Sequence, residues 1–358
     1  RYFISFAIFI FIFSTLRQVF FHAASNTELN IDNILIGLFN WIPLLIAFWG
    51  FHFYLKNINN RILIARNLLI GTIPILISCM GQLWWGWDSP ITILWGLIVW
   101  FQKKLIYNAS GLTGLFSNPN YLGFWLDMIW PFSLYFFFTS KKRVLKVLNF
   151  ANLISILYFV LLSNSRNAFI GITISSLLLI KFKIIFLFLI VIFGSLILNI
   201  IFPEIGIILF NHFKWISSDN LLSKFSFNLK SNLIQYQRLE IWIKAKNLII
   251  ARPILGWGAS TFPIMYKLIQ GDSDAQHLHN IFFQIAYDYG LIASLVIFYI
   301  IYKSLFESFK DCKNNLNVNN IDYCWFASSL MVVIFHQLDF PYFDARISII
   351  FWTLLSGC

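Results

Sequence analysis

Apolar stretches long enough to cross a membrane recur along this chain, and that recurrence constrains the fold more than any single motif. A helix needs about 20 apolar residues to span the hydrocarbon core. Reading by that length gives about ten candidate spans, near 2–21, 33–55, 65–86, 121–139, 144–163, 167–182, 183–202, 280–302, 322–337 and 345–358. Composition agrees: 59% of the residues are hydrophobic and 11% are charged, too little polar surface to cover a soluble globule. The expected fold class is all-α, a polytopic membrane helical bundle. Because the chain begins at Arg1 rather than Met, one or two N-terminal spans are expected to be missing, for a total of up to twelve.

Basic residues orient these spans. Lys56, Arg61 and Arg66 follow the second span, Lys141, Lys142, Arg143 and Lys146 the fourth, Lys181 and Lys183 the sixth, and Lys303, Lys310 and Lys313 the eighth. Every second loop is basic, so these loops are cytoplasmic by the positive-inside rule, and 22–32, 87–120, 163–166, 203–279 and 338–344 lie outside. The net charge of +11 is thereby an orientation signal and not a nucleic-acid footprint. The implied organisation is an N-terminal bundle over 1–202, a large outer loop over 203–279 and C-terminal helices over 280–358, in one integrated membrane domain.

A loop as long as 203–279 is expected to hold structure. Ile234, Ile241, Ala245 and Ile249 recur at helical spacing, Pro253 ends the pattern and Gly256-Trp257-Gly258 makes a turn, which predicts a helix at 231–250 near the outer surface. Arg238 and Trp242 are four apart and share its face. Together they could clamp a lipid-linked anion, or serve as an ordinary interfacial pair.

In their order and spacing these residues resemble the O-antigen ligase and polymerase family of bacterial membrane glycosyltransferases. The resemblance runs from Gly111 to the end. It rests on Gly114 to Asn120 (GLFSNPN), Ser163-Asn-Ser-Arg166, Arg238-Leu-Glu-Ile-Trp242, Pro253-Ile-Leu-Gly256-Trp-Gly258, and His279 followed after ten residues by Gly290. Trp242 stands where the family's arginine pattern has Leu. The segments from Gly86 to Gln102 and from Asp344 to Trp352 look more like the cyanobacterial branch, sometimes labelled a bicarbonate transporter.

The resemblance implies transfer of a glycan from an undecaprenyl-diphosphate carrier to an acceptor hydroxyl, on lipid A-core or a growing polysaccharide. It places the site on the periplasmic face of the bacterial inner membrane, in an inverting, metal-independent reaction without cofactors. Its partners are then the lipid-linked donor, the acceptor and membrane lipid. Such chemistry needs positive charge on the departing diphosphate and a base for the incoming hydroxyl. Arg166, at the outer start of the sixth span with a helix dipole behind it, and Arg238 supply the first. His279 opens the eighth span; the helix N-terminus and two arginines favour its neutral, proton-accepting form, so it is expected to be the base, with His277 as the nearest rival.

Other polar groups carry less. Asn118 and Asn120 cap the fourth span or bind sugar. Asp272-x-Asp274 lies in a solvated turn, and no metal is expected. Asp127 and Asp288 fall within predicted spans, where ionisable groups are costly and often functional. Trp84, Trp85, Trp87, Trp95 and Trp100 suggest an aromatic belt, with 90–101 lying in the membrane surface. The four cysteines fit no disulfide framework in the outer loop. The rival reading, a transporter for a small anion such as bicarbonate, would place polar groups near the bilayer midplane on broken helices, whereas here they gather at the outer mouth.

Overall fold

The computed structural model describes residues 2–25, 31–88, 90–95, 98–100, 102, 104, 105, 111–180, 232–270 and 275–358. The span expected at 183–202, the start of the long loop, Asp272 and Asp274 lie outside them. Helices dominate, and among the described residues seven are long and apolar enough to cross a membrane. The contacts gather into two units: Arg1–Asn60 with Asn232–Asp311 and Val332–Cys358, and Arg61–Ser231 with Cys312–Met331.

The first unit opens with α1 (Tyr2–Ser25), α2 (Ile31–Phe39) and α3 (Ile42–Leu55). The single span expected over 33–55 is present as Asp32–Leu55, but its helix is interrupted at Asn40-Trp41, where Pro43 enters the first turn of α3 without an N–H to continue the preceding helix. Trp41 fills the corner, stacking on Tyr342 with centroids 4.3 Å apart. The Tyr342 hydroxyl donates to the carbonyl of Asn40 and accepts from Trp352 Nε1.

The expected loop helix forms as α8 (Asn232–Ala251). Its apolar face, Ile241, Ala245, Leu248 and Ile249, joins Phe262 and Tyr266 of α9 (Phe262–Gln270) and Ala286 and Tyr287 of α10 (Ile281–Tyr289) in one core. Burying side chains of this size stabilises by about 1.5–3 kcal/mol each, enough to hold a 20-residue helix that would be marginal alone. The eighth span differs from expectation: α10 stops at Gly290 and α11 (Leu291–Cys312) starts afresh.

In the second unit, α4 (Ile58–Trp84) begins seven residues before the expected 65 and leads towards a two-stranded antiparallel hairpin, β1 (Ile91–Ile93) and β2 (Ile98–Trp100), where a membrane-surface segment was expected. Then α5 (Pro119–Thr139), α6 (Arg143–Leu162) and α7 (Arg166–Leu179) pack on one another. α12 (Ile321–Leu338) contributes its first half here: Ser328 Oγ donates to the Met128 carbonyl, and Trp325 meets Phe132 at 5.4 Å. The chain ends with a short 3-10 turn over Pro341–Phe343 and α13 (Ala345–Ser356), both in the first unit.

Candidate functional site

The break at Gly290 explains the spacing from His279. Gly290 sits at φ +95°, and a Cβ there would lie 2.1 Å from the Ile254 carbonyl oxygen. Gly256, at φ +65°, is crowded in the same way by the Tyr287 carbonyl. The two segments interlock: Trp257 N–H donates to Tyr287 O at 2.8 Å, Gly258 N–H to Asp288 O at 3.0 Å, and Leu291 N–H to Pro253 O at 2.7 Å. From α1, Gln18 Nε2 donates to Gly256 O at 2.7 Å, and Ser14 Oγ to Leu255 O. The two sequence motifs are thus halves of one knot that fixes the C-terminal end of α10.

Its other end is fixed as firmly. Asn280 caps α10, its Oδ1 accepting from Phe282 and Phe283 N–H at 3.0 and 3.1 Å, while its Nδ2 donates to Gln337 Oε1 at 3.0 Å. Leu278 is gripped on both sides: its N–H donates to Gln284 Oε1 at 3.1 Å and its carbonyl accepts from Trp242 Nε1 at 2.7 Å. Between them His279 adopts φ +51°, a left-handed conformation that a histidine keeps only when its neighbours over-determine it.

His279 Nδ1 lies 3.1 Å from Asp339 Oδ1, and the same oxygen accepts from Phe340 N–H at 2.8 Å. Arg238 Nη2 is 3.9 Å from Asp339 Oδ2, and Nη1 donates to the Leu338 carbonyl. Asp339 is buried. Burial pushes its carboxyl up, but the hydrogen bond from His279, the charge of Arg238 and the Phe340 N–H prevail and hold it below the usual carboxylate range. An ionised Asp339 accepts a hydrogen bond from Nδ1–H and so fixes that tautomer, making Nε2 the ring nitrogen left for a substrate. The carboxylate is the negative neighbour that the sequence reading of His279 left out.

Asp339 was missed for a definable reason. Acidic residues contribute little to the positive-inside rule, so one Asp in a short outer loop drew no notice. The topology had nonetheless put 338–344 on the same side as His279.

The other expected residues divide between the units. His277 packs on His279 with ring centroids 4.3 Å apart and on Phe340 at 5.9 Å. Burial, then the neighbouring His279, lowers its pKa to about 4, against partial support from Asp339. Trp242 shares the α8 face with Arg238 as expected, with its indole N–H spent on Leu278 and its ring edge-on to Phe283. In the second unit Asn118 caps α5, accepting from Asn120 N–H at 2.9 Å. Ser165 caps α7 through Ala168 N–H, and Arg166 opens that helix exposed. The loop before α5 is held by Gln82, whose Oε1 accepts from the Thr113 and Gly114 N–H groups, both at 3.0 Å. A Cβ on Gly111 would strike the Ser163 carbonyl, so the 111–120 and 163–166 motifs are packed together.

His277, His279 and Asp339 also place ligand atoms within 4.8 Å of one another, the one such trio among the described residues. A divalent metal would find two imidazoles and a carboxylate there. Arg238 beside the same carboxylate already supplies a positive charge, which disfavours a dication at that position.

Residues 150–298 match the family model described as O-antigen ligase. The match takes in Ser163–Arg166, Arg238–Trp242, Pro253–Gly258 and His279–Gly290, so over these residues the chain is similar to the O-antigen ligase family. It does not reach 86–102 or 344–352, the segments behind the likeness to a cyanobacterial branch. No curated protein matches the chain.

Proposed function

We propose that this membrane protein transfers a glycan from an undecaprenyl-diphosphate carrier to an acceptor hydroxyl at the periplasmic face of the inner membrane, with inversion and without a metal. Glycan transfer of the O-antigen ligase kind follows from the family match. The observation that carries the finer reading is the buried Asp339, which joins a half-buried histidine and arginine in one cluster. Nε2 of His279 accepts the proton of the acceptor hydroxyl while its oxygen attacks the anomeric carbon. The bond from that carbon to the diphosphate oxygen breaks, and undecaprenyl diphosphate departs with the electron pair. Attack opposite the leaving group inverts the anomeric centre. Arg238 stabilises the charge gathering on the diphosphate, and Asp339 stabilises the imidazolium that forms. Arg166, on the second unit, is a further candidate for the diphosphate, and Asn118 and Asn120 for sugar.

Purified protein given a short undecaprenyl-diphosphate glycan and candidate acceptors should form a glycosylated product of inverted linkage, equally with and without a chelator. Loss of product with chelator, restored by zinc, would make His277, His279 and Asp339 metal ligands. A companion labelling experiment fixes the face: cysteine introduced at Leu268 should react with an impermeant reagent in intact spheroplasts, and at 141–146 should not. The reverse pattern overturns the periplasmic placement.

A further inference from the structure

A cavity of about 400 Å³ opens beside His277 in the first unit, within the size range of small-molecule sites. We propose that it is a subsite for one uncharged sugar residue of the transferred or accepting glycan; this rests on the transfer reading above.

The lining argues for that class of ligand. Asn40 and Gln276 bring amides, Trp41, Phe262 and Tyr289 bring rings, and among the described residues no Lys, Arg or Glu takes part. Of the lining carboxylates and imidazoles there are two, Asp288 and His277. Asp288 faces the cavity with an acceptor already oriented by Gln284, whose Nε2 donates to both its oxygens at 3.0 and 3.1 Å. A phosphate or bicarbonate would find no Lys or Arg among the described lining residues to offset its charge. A lipid chain would strand the amides. A sugar ring suits both sets, offering hydroxyls to the amides and carboxylate and an apolar C–H face to the rings.

Tyr289 points the same way independently. It is fully buried, and its hydroxyl has no hydrogen-bond partner among the described residues. That hydroxyl lies close to Gly37, another lining residue, where a Cβ would come within 3.3 Å of it. Buried hydroxyls are normally satisfied, so one left open against a cavity is a group waiting for a ligand. The walls are also pre-formed: Trp41 is held by Tyr342, and Phe262 packs on Tyr266 and Tyr287.

The test uses full-length protein in nanodiscs and neutral oligosaccharides released from the host's surface polysaccharide, free of lipid and phosphate, with binding followed by saturation-transfer NMR. Wild type should bind. Tyr289→Phe should bind about three- to tenfold more weakly, with its thermal midpoint unchanged or raised, since the substitution removes an unsatisfied hydroxyl. Gln276→Trp, plugging the exposed rim, should abolish binding. His279→Ala should bind as wild type although it cannot turn over, so failure of the transfer mechanism and failure of the subsite are read separately. Inorganic diphosphate should not compete. In turnover assays the Tyr289→Phe rise in KM should fall on donor or on acceptor, which identifies whose sugar is held. No binding to wild type, equal binding to wild type and both pocket variants, or displacement by diphosphate overturns the proposal.

Discussion

The two units hold their candidate site residues in different ways. Around His279, side chains from α8, α10 and the end of α12 are tied to one another, so that Arg238, Trp242, Asp339 and Gln337 all brace a three-residue stretch. Around Arg166, the polar residues are tied to backbone instead: Asn118 and Ser165 cap helices and Gln82 clasps two amides. Among the described residues no partner meets the Arg166 guanidinium, which is exposed. On the proposed mechanism, the first arrangement orients reactive atoms before substrate arrives, and the second holds a scaffold and leaves its cation to be ordered by what binds. Preorganised groups lose more when disturbed, because their neighbours are disturbed with them.

The largest effect should fall on the base. His279→Ala should slow transfer by roughly a hundredfold or more with donor binding intact, and normal turnover in that variant would remove the histidine from the mechanism. Next comes Asp339→Asn, which keeps the shape but can present its N–H₂ to Nδ1 and so favour the wrong tautomer. Loss of a charge-assisted bond of about 1.5–3 kcal/mol corresponds to roughly ten- to a hundredfold in kcat. Unchanged kcat would reduce Asp339 to a packing role. The comparison itself is tested by the arginines. Arg238→Ala should cost more than Arg166→Ala in kcat, with Arg238→Lys recovering only part because it lacks the two-pronged fork. Equal losses in kcat, with no change in donor KM for Arg166→Ala, would mean that both cations are equally preorganised.

The smallest effect concerns pH. His277 is held near pKa 4 when folded, against 6.5 when unfolded. Between those values the unfolded chain binds the extra proton, so this contribution to stability is full above pH 6.5 and is lost as pH falls towards 4. Thermal midpoints of wild type should therefore drop across that window, and those of His277→Gln should drop less. Parallel curves would show that burial of His277 is not what the acid limb reports.

The sequence made some of this legible and concealed the rest, for physical reasons. Span positions were readable because hydropathy needs only length and composition: five of the seven long apolar stretches start and end close to the predicted bounds, while α4 begins well before its own and α11 starts and ends well after the expected 280–302. The breaks at Asn40-Trp41 and Gly290 were harder, since an apolar run looks the same whether its helix is continuous or bent. Arg238, Trp242 and His279 were found because they stand in a spaced pattern. Asp339 and Tyr289 belong to no pattern, and their roles arise from meeting residues some 60 and 250 positions away along the chain, His279 and Gly37. Such meetings are written in tertiary structure alone.

If the donor is lipid-borne, as proposed, the reaction must happen within reach of a carrier that cannot leave the bilayer. A helix that stops short ordinarily has to stop in water, because its last carbonyls would otherwise be left bare in hydrocarbon. Here the carbonyls of Tyr287 and Asp288 are taken up by Trp257 and Gly258, and the new helix receives Leu291 N–H at Pro253. The interruption carries its own solvation with it. On the proposed reading it can therefore sit at the depth the carrier's headgroup requires, and the imidazole at the other end of the short helix moves with it while these three peptide groups stay paired.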